Sequence, residues 1–284
     1  MTVLVTGARG MIGSALVKEL LAAGYRVVGV DRGPDSFTDD NYRHYEIDLS
    51  DKERLIQILH EERVDRVVHL AGLAHKKEQK KLSWEDYYHS NVECSRNVFE
   101  AAGDRPLLFI STVDVFGFYD GKQPLTPASP LHPVTAYGMS KAAAETECRK
   151  LKHYDIFRFS PVYTDSEKRD IQKRYYLVYP CVAYQIGSGS AFEILNIRKA
   201  ADEMVCWCTK DPTNRIRIVK DDRLMWTPAY IGRERENGRA KILLWTPKWL
   251  AEAGYSILKG LFGENQKTYL MNKALFPIRS TEDL

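Results

Sequence analysis

Between a first apolar β-branched run, Val3–Val5, and a first helical pattern, Met11–Ala23, the chain reads Thr6-Gly7-Ala8-Arg9-Gly10-Met11-Ile12-Gly13. A strand that ends in a glycine turn and feeds a helix leaves few architectures open, because the helix must cross back over the sheet before the next parallel strand can pair. Gly7 permits the tight turn, Gly10 lets phosphates approach the backbone, and Gly13 lets helix and strand close up. A helix N-terminus also presents unpaired amides and a positive dipole end to an anion. Three glycines alone also suit ordinary turn chemistry. In this strand-turn-helix context, Gly7, Arg9, Gly10, Met11, Ile12 and Gly13 are expected to receive a dinucleotide pyrophosphate.

The same alternation continues along the first half. Strands are expected at Arg26–Val30, His44–Ile47, Arg66–Leu70, Leu107–Ile110 and Ile156–Phe159, with helices at Lys52–Glu61, Ser83–Ala102 and Ala136–Lys152, where apolar residues recur every three or four positions. The economical fold is α/β, a Rossmann-type doubly wound parallel sheet. Beyond residue 160 the regularity fades. Tyr175–Ile186 reads as strands and loops before the turn Gly187-Ser188-Gly189-Ser190, and helices are expected near Ala200–Lys210 and Pro247–Leu261. The division is therefore 1–160 for a dinucleotide-binding domain and 161–284 for a smaller substrate-binding part, a soft boundary because the chain can return to the sheet.

Composition excludes several classes. In 284 residues, 41 basic and 38 acidic side chains leave a net charge of +3, too balanced for a nucleic-acid binder that works by neutralising phosphates. Five cysteines without a CxxC pair point to reduced thiols and a cytoplasmic protein, and no metal site is expected. The start lacks the pattern of a signal peptide, and no window is apolar enough to span a membrane. The stretch Ile242–Phe262 mixes Trp245, Trp249, Leu250, Leu258, Leu261 and Phe262 with Lys248 and Lys259. A core-facing helix is expected there in preference to one lying on a membrane surface.

Asp31 follows the second strand, where a carboxylate can hold both adenosine ribose hydroxyls and repel a 2′-phosphate, which favours NAD. Arg9 and Arg32 offer a 2′-phosphate two cations, so NADP stays open. Asp48-Leu49 follows the third strand, and Asp48 can meet the adenine amino group or cap the next helix. Leu70-Ala71-Gly72 forms a small-residue wall for a flat ring. His69 and His75 flank it without metal-ligand spacing, and a hydrogen-bonded strand-end histidine is expected at His69. The Lys76–Lys81 run reads as a solvated loop.

Tyr137-Gly138-Met139-Ser140-Lys141 puts a phenol and an ammonium four residues apart on one helix face. A tyrosine titrates near about 10, so acid/base work at neutral pH needs a neighbouring cation, and Lys141 supplies it. Thr112, at the end of the fifth strand, is the candidate to hold a substrate oxygen, with Ser111 second and Asp114 a further substrate candidate. Such a Tyr/Lys pair is common on solvated helices and a Ser-Thr pair at a strand end is commonplace. Their order in the chain, glycine turn, hydroxyl after the fifth strand, then Tyr and Lys on the next helix, carries the assignment.

With these residues in place, the sequence resembles the extended short-chain dehydrogenase/reductase family, in its NAD-dependent epimerase/dehydratase group acting on nucleotide-linked sugars. The marks lie within residues 1–165: the Thr-Gly-x-x-Gly-x-x-Gly turn, Asp31, Asp48-Leu49, Leu70-Ala71-Gly72, Asn91, Ser111-Thr112 with Val115-Phe116-Gly117, and Tyr137-x-x-x-Lys141. The resemblance implies a tightly held NAD(P), contacts to it from Ser111, Tyr137 and Lys141, Tyr137 as acid/base, Lys141 on the nicotinamide ribose, and Thr112 orienting the substrate. It also implies a homodimer through Ser83–Ala102 and Ala136–Lys152, and a place in polysaccharide biosynthesis. Two departures shape the expectation. Val113-Asp114 stands where dehydratases carry Asp-Glu, which disfavours water elimination. Arg158-Phe159-Ser160-Pro161-Val162-Tyr163-Thr164 lacks the family's Asn and Gly, which puts the usual phosphate contact in question. Arg198, Arg215, Arg217 and Arg223 offer cations to a diphosphate, but solvated surface side chains are expected for each. An epimerase-type oxidoreductase is the leading expectation, a one-way 4-keto-sugar reductase the alternative, and a non-catalytic dinucleotide-binding protein the reading from another class.

Overall fold

The computed structural model describes residues 1–74, 82–164 and 169–282. His75 and the Lys76–Lys81 run lie outside the described residues. The chain forms two compact units. The first comprises Met1–Thr112, Ala136–Phe159 and Ile197–Arg217; the second comprises Val113–Thr135, Ser160–Asn196 and Ile218–Leu284. The expected division at 160 marks one of several points at which the chain passes from one unit to the other.

The first unit is built on β1 (Thr2–Thr6), α1 (Met11–Ala22), β2 (Arg26–Asp31), β3 (Tyr42–Glu46), α2 (Lys52–Glu61), β4 (Arg66–His69), α3 (Trp84–Tyr88), α4 (Cys94–Ala102), β5 (Leu107–Thr112), α5 (Ala136–Cys148) and β6 (Tyr154–Phe159). The sheet has seven strands in the order Ile216–Val219, β6, β5, β4, β1, β2, β3. From β3 to β6 every pairing is parallel. The order reverses between β1 and β4, and a doubly wound sheet opens a crevice at the strands' carboxyl ends at that reversal. Leu4, Val28, Val67, Phe109 and Ile156 of the strands pack with Leu55, Ile58, Val98 and Phe99 of α2 and α4. These strands read as continuous apolar runs because both faces are covered.

The helix expected over Ser83–Ala102 is interrupted. Ser83 starts it with a capping box to Asp86, and a π-turn at His89–Glu93 then separates α3 from α4. A π-turn inserts one residue, which turns Asn91 inward without ending the helix.

In the second unit, Val182–Ile186 pairs antiparallel with Tyr176–Val178 and parallel with Ile242–Thr246. Tyr175, Tyr176, Phe192, Ile194, Met225 and Ile231 form its core. The helices Thr227–Glu236 and Gln266–Leu275 escaped the sequence reading. The helix Lys248–Phe262 buries only Tyr255, while Trp249 is 68% and Leu261 72% exposed. The expected core-facing helix is thus corrected: its apolar stripe exists, but the described residues do not cover it. No helix among the described residues is long and apolar enough to cross a membrane.

Candidate active site

A groove of about 210 Å³ opens at the sheet's order reversal. Gly7, Gly10, Asp31, Arg32, Asp48, Leu49, Leu70, Ala71 and Gly72 line it, all of them sequence candidates. Val30, Ile47, Leu73, His89, Ser90 and Cys94 complete the lining and were missed. Three of these, His89, Ser90 and Cys94, sit on or beside the π-turn, whose phase cannot be read from an ordinary helical repeat.

The glycines meet strict demands. Gly7 has φ +69° and a Cβ there would stand 2.9 Å from the Ala71 amide nitrogen, while a Cβ on Gly13 would stand 2.1 Å from the Gly7 carbonyl oxygen. Positions 7 and 13 therefore accept only glycine. Gly10 caps α1 without a side-chain hydrogen bond, and its own amide donates to the Gly7 carbonyl at 3.0 Å. Among the described residues, the amides of Met11, Ile12 and Gly13 find no acceptor. Three orphan amides at a helix N-terminus beside an open groove suit an anion.

At the end of β2, Asp31 accepts from the Arg9 amide at 3.2 Å and the Arg32 amide at 2.8 Å. The carboxylate is thereby fixed at the groove's edge. Arg9 folds over Gly33, where an added Cβ would meet its guanidinium at 2.2 Å. Asp48 accepts from the Ser50 amide at 2.9 Å, and this bond holds its carboxyl below the ordinary range. The cap of α2 is Asp51, bonded to the Arg54 amide, so the capping alternative for Asp48 does not hold. Burial pushes the Cys94 thiol up to about 11, which keeps it protonated.

The wall is tied to the sheet through a buried histidine. His69 Nδ1 lies 2.7 Å from Thr6 Oγ1, and its Nε2 lies 2.8 Å from Ser95 Oγ. Thr6 Oγ1 in turn accepts from the Ala71 amide at 3.2 Å. Burial pushes His69 down to about 3, so it is a neutral hydrogen-bonding strut, as the strand-end reading expected.

Thr112 ends β5, and Tyr137 and Lys141 stand one turn apart on α5. Thr112 and Tyr137 are partly exposed, whereas Lys141 is buried with Nζ 4.2 Å from the centre of the Phe109 ring. A Cβ on Gly72 would lie 3.0 Å from Asn91 Oδ1 and 3.8 Å from Lys141 Nζ. Gly72 thus brings the wall of the groove against the buried ammonium. Burial lowers Lys141 to about 7, with Glu145 opposing that shift.

Asn91 was marked by the family resemblance without a role, and Glu145 was not read from the sequence; both are positioning elements. Asn91 Oδ1 accepts from the Leu73 amide at 2.6 Å, and its Nδ2 donates to the Leu73 carbonyl at 2.9 Å and to Ser140 Oγ at 2.8 Å. One side chain therefore clamps the end of the wall to the helix that carries Tyr137 and Lys141. Glu145 receives Arg158 Nε at 2.9 Å, Arg158 Nη2 at 2.7 Å and Ser111 Oγ at 2.6 Å, all buried. Ser111 and Arg158 are committed to this carboxylate. Arg217 pairs with Glu203 at 3.1 Å, and Arg198, Arg215 and Arg223 are exposed. Asp114, in the second unit, pairs with Lys273 at 2.5 Å. Gly117 has φ +72° there, and an added Cβ would stand 1.7 Å from the His132 carbonyl oxygen. Among the described residues no cluster of metal-ligating side chains occurs.

Comparison with known proteins places this geometry. Residues 3–197 match the model of the NAD dependent epimerase/dehydratase family. UDP-glucose 4-epimerase 4 of Oryza sativa subsp. japonica is 37% identical over 169 residues, which cover 54% of this chain and 46% of the relative. UDP-glucose 4-epimerase of Bacillus subtilis is 32% identical over 168 residues, covering 55% and 49%. The chain spans about half the length of the curated relatives it matches. Among solved structures, UDP-glucuronic acid 4-epimerase from Bacillus cereus in complex with NAD aligns with TM-score 0.71 at 19% identity over 87% of both chains. UDP-glucose 4-epimerase from Thermus thermophilus in complex with NAD aligns with TM-score 0.68 at 24% identity, over 87% of this chain and 86% of the other. These last two similarities show the shared fold.

Proposed function

The chain belongs to the NAD dependent epimerase/dehydratase family, and on that premise we propose that it is an NAD-dependent, epimerase-type oxidoreductase acting at a secondary alcohol of a nucleotide-linked sugar. The observation that carries this reading is the junction at Gly72, where the wall of the groove meets Lys141 on the helix that also bears Tyr137. The residues present fit NAD. Gly7, Gly10 and the amides of Met11, Ile12 and Gly13 would hold the pyrophosphate, Asp31 the adenosine ribose, Asp48 and Leu49 the adenine, and Leu70, Ala71 and Gly72 the flat ring. NAD, when bound, supplies the site that takes a hydride from the alcohol carbon and gives it back.

The protein's part is the proton. Thr112 orients the substrate oxygen, and Tyr137 takes the alcohol proton and later returns it. The ammonium of Lys141 favours the phenolate, and a phenolate at Tyr137 favours the ammonium, so the two titrate as a coupled pair. Asn91 and Glu145 keep the helix in place through Ser140, Ser111 and Arg158. A single tyrosine able both to take and to return a proton is what epimerisation needs.

The test is native mass spectrometry of the purified protein followed by turnover assays with nucleotide sugars. Retained NAD, epimerised product, and loss of at least about a hundredfold in rate in Tyr137→Phe are expected. An empty protein that binds NADPH reversibly and reduces a keto sugar would replace the epimerase by a reductase. Unchanged turnover in Tyr137→Phe would remove the proposed acid/base. The reading extends to a homodimer through the surfaces of α3, α4 and α5, checked by light scattering. It also places the protein in the cytoplasm, where two exposed free thiols, Cys181 and Cys206, suit a reducing compartment, and in polysaccharide biosynthesis.

A further inference from the structure

In the second unit, the helix Lys248–Phe262 has its faces reversed. Lys248, Glu252, Tyr255 and Lys259 follow one another at spacings of four, three and four, so they share one side. That side is the docked one. Tyr255, the helix's one buried residue, accepts from Asn272 Nδ2 at 3.2 Å on its hydroxyl and meets the Phe276 ring at 6.0 Å between centres. The opposite side carries Trp249, Leu250, Ala253, Ile257, Gly260 and Leu261, all exposed and none charged. A helix on a water-facing surface turns its apolar side inward; this one puts its charged residues on the docked side and its apolar residues outside.

The elements joined to it are apolar on the outside as well. Ile242, Leu244 and Trp245 of the strand Ile242–Thr246 are 53%, 48% and 59% exposed, and Leu270 of the helix Gln266–Leu275 is 63% exposed. Nine of the nineteen large apolar side chains exposed among the described residues fall between Ile242 and Leu270. Apolar surface gathered in one stretch of chain marks a face that a partner or a membrane covers.

Charge selects between the two. From Arg239 to Lys273 the chain has six basic residues and two acidic ones, a surplus of four, whereas the whole chain has a surplus of three. Both acids are spent, Glu252 on Lys248 at 3.7 Å and Glu264 on Lys259 at 2.8 Å. Arg239 and Lys273 pair with Glu234 and Asp114. Lys241 and Lys267 are exposed and make no ion pair among the described residues. A second copy would set this surplus against its own like, which opposes a symmetric contact. An anionic lipid surface meets it with the opposite sign, and the exposed rings of Trp245 and Trp249 are of the kind that settles between headgroups and acyl chains. We propose that the outer side of the helix Lys248–Phe262 seats the protein on an anionic lipid surface, with Trp249, Leu250, Ile257 and Leu261 entering the acyl boundary and Lys241 and Lys267 meeting the headgroups. Apolar side chains and lysines together supply the two signals that peripheral attachment takes, and no segment crosses the bilayer. The inference rests on the second unit alone and is independent of the nucleotide-sugar reading.

The experiment is flotation of the full chain with vesicles of phosphatidylcholine carrying about 30% phosphatidylglycerol, and with vesicles of phosphatidylcholine alone. Binding at least about tenfold tighter to the anionic vesicles is expected, falling severalfold or more in about 0.5 M salt. The double variant Trp249→Gln, Leu261→Gln should bind at least about tenfold more weakly, with an unchanged melting temperature because both side chains are exposed. Lys241→Gln and Lys267→Gln should each weaken binding to the anionic vesicles about fivefold and leave the neutral ones unmoved. Light scattering without vesicles should give the parent and the double variant the same mass. Absence of binding to either vesicle, equal binding to both, or binding that the double variant retains would overturn the proposal. A mass that drops in the double variant would also overturn it, by giving this face to a second copy.

Discussion

Replacing Lys141 by methionine would separate the cost of a buried ammonium from its use. Burial pushes Lys141 from 10.5 down to about 7, so the folded protein holds this proton less tightly than the unfolded chain does. Above the unfolded value neither state carries it. As pH falls from there towards about 7, the unfolded chain takes up a proton that the folded protein refuses, and stability drops; below about 7 both states are protonated and the penalty levels off. At 1.36 kcal/mol per pH unit, the penalty is about 4 kcal/mol near pH 7 and about 2 kcal/mol near pH 9. Methionine has a similar length, keeps contact with Phe109 and removes the charge. The variant should therefore be more stable than the parent by about 2–4 kcal/mol at neutral pH, after discounting for lost contacts with Glu145. For a chain of this size that is a rise of roughly 5–10 °C in melting temperature. The gap should shrink by about half near pH 9, while hydride-transfer turnover falls at least about a hundredfold. Thermal melts of both proteins without cofactor across this pH range are the assay. A variant less stable than the parent at neutral pH, or a gap that ignores pH, would refute the argument that burial of the charge dominates.

Other parts of the site yield further expectations. Arg158→Met leaves Glu145 buried without its bidentate partner and should cost about 3–5 kcal/mol; adding Glu145→Gln should restore part of that loss, as read by urea unfolding. Gly13→Ala would put a Cβ 2.1 Å from the Gly7 carbonyl, so the turn must move; a stability loss of about 1–3 kcal/mol and at least tenfold weaker NAD binding by fluorescence titration are expected, about 1.4 kcal/mol or more. Asp31→Asn removes the charge that repels a 2′-phosphate beside Arg9 and Arg32, so the ratio of NADP to NAD affinity should rise about tenfold or more in the same titration.

What was legible in the sequence was local and periodic. The Val3–Val5 run, the glycines at 7, 10 and 13, and the helix that follows are adjacent in the chain, so the turn could be drawn before any contact was known. The strand-end residues Asp31, Asp48 and Gly72 followed because parallel strands deliver their carboxyl ends to one edge of the sheet. What lay outside reach depends on tertiary contact or on phase. Glu145 falls one turn beyond Lys141, on the stripe that Tyr137 begins, and that spacing was a usable signal. Its partner Arg158 sits on β6, and nothing local says that β6 will bring a guanidinium to that stripe. The resemblance marked Asn91, but its inward phase depends on a π-turn, one added residue that an ordinary helical repeat cannot reveal.

The second unit resisted for a related reason. Several of its strands are two residues long, as at Ala191–Phe192 and Leu195–Asn196, too short to show an alternation, and they exist only through their pairing partners. The helix Lys248–Phe262 carries the opposite lesson. Its apolar residues recur at helical spacing, and the helix forms where that spacing puts it, yet Trp249, Ile257, Leu261 and Phe262 remain exposed. Periodicity reports that a helix has an apolar face; which surface covers that face is a property of the partner, and no repeat in the helix itself encodes it.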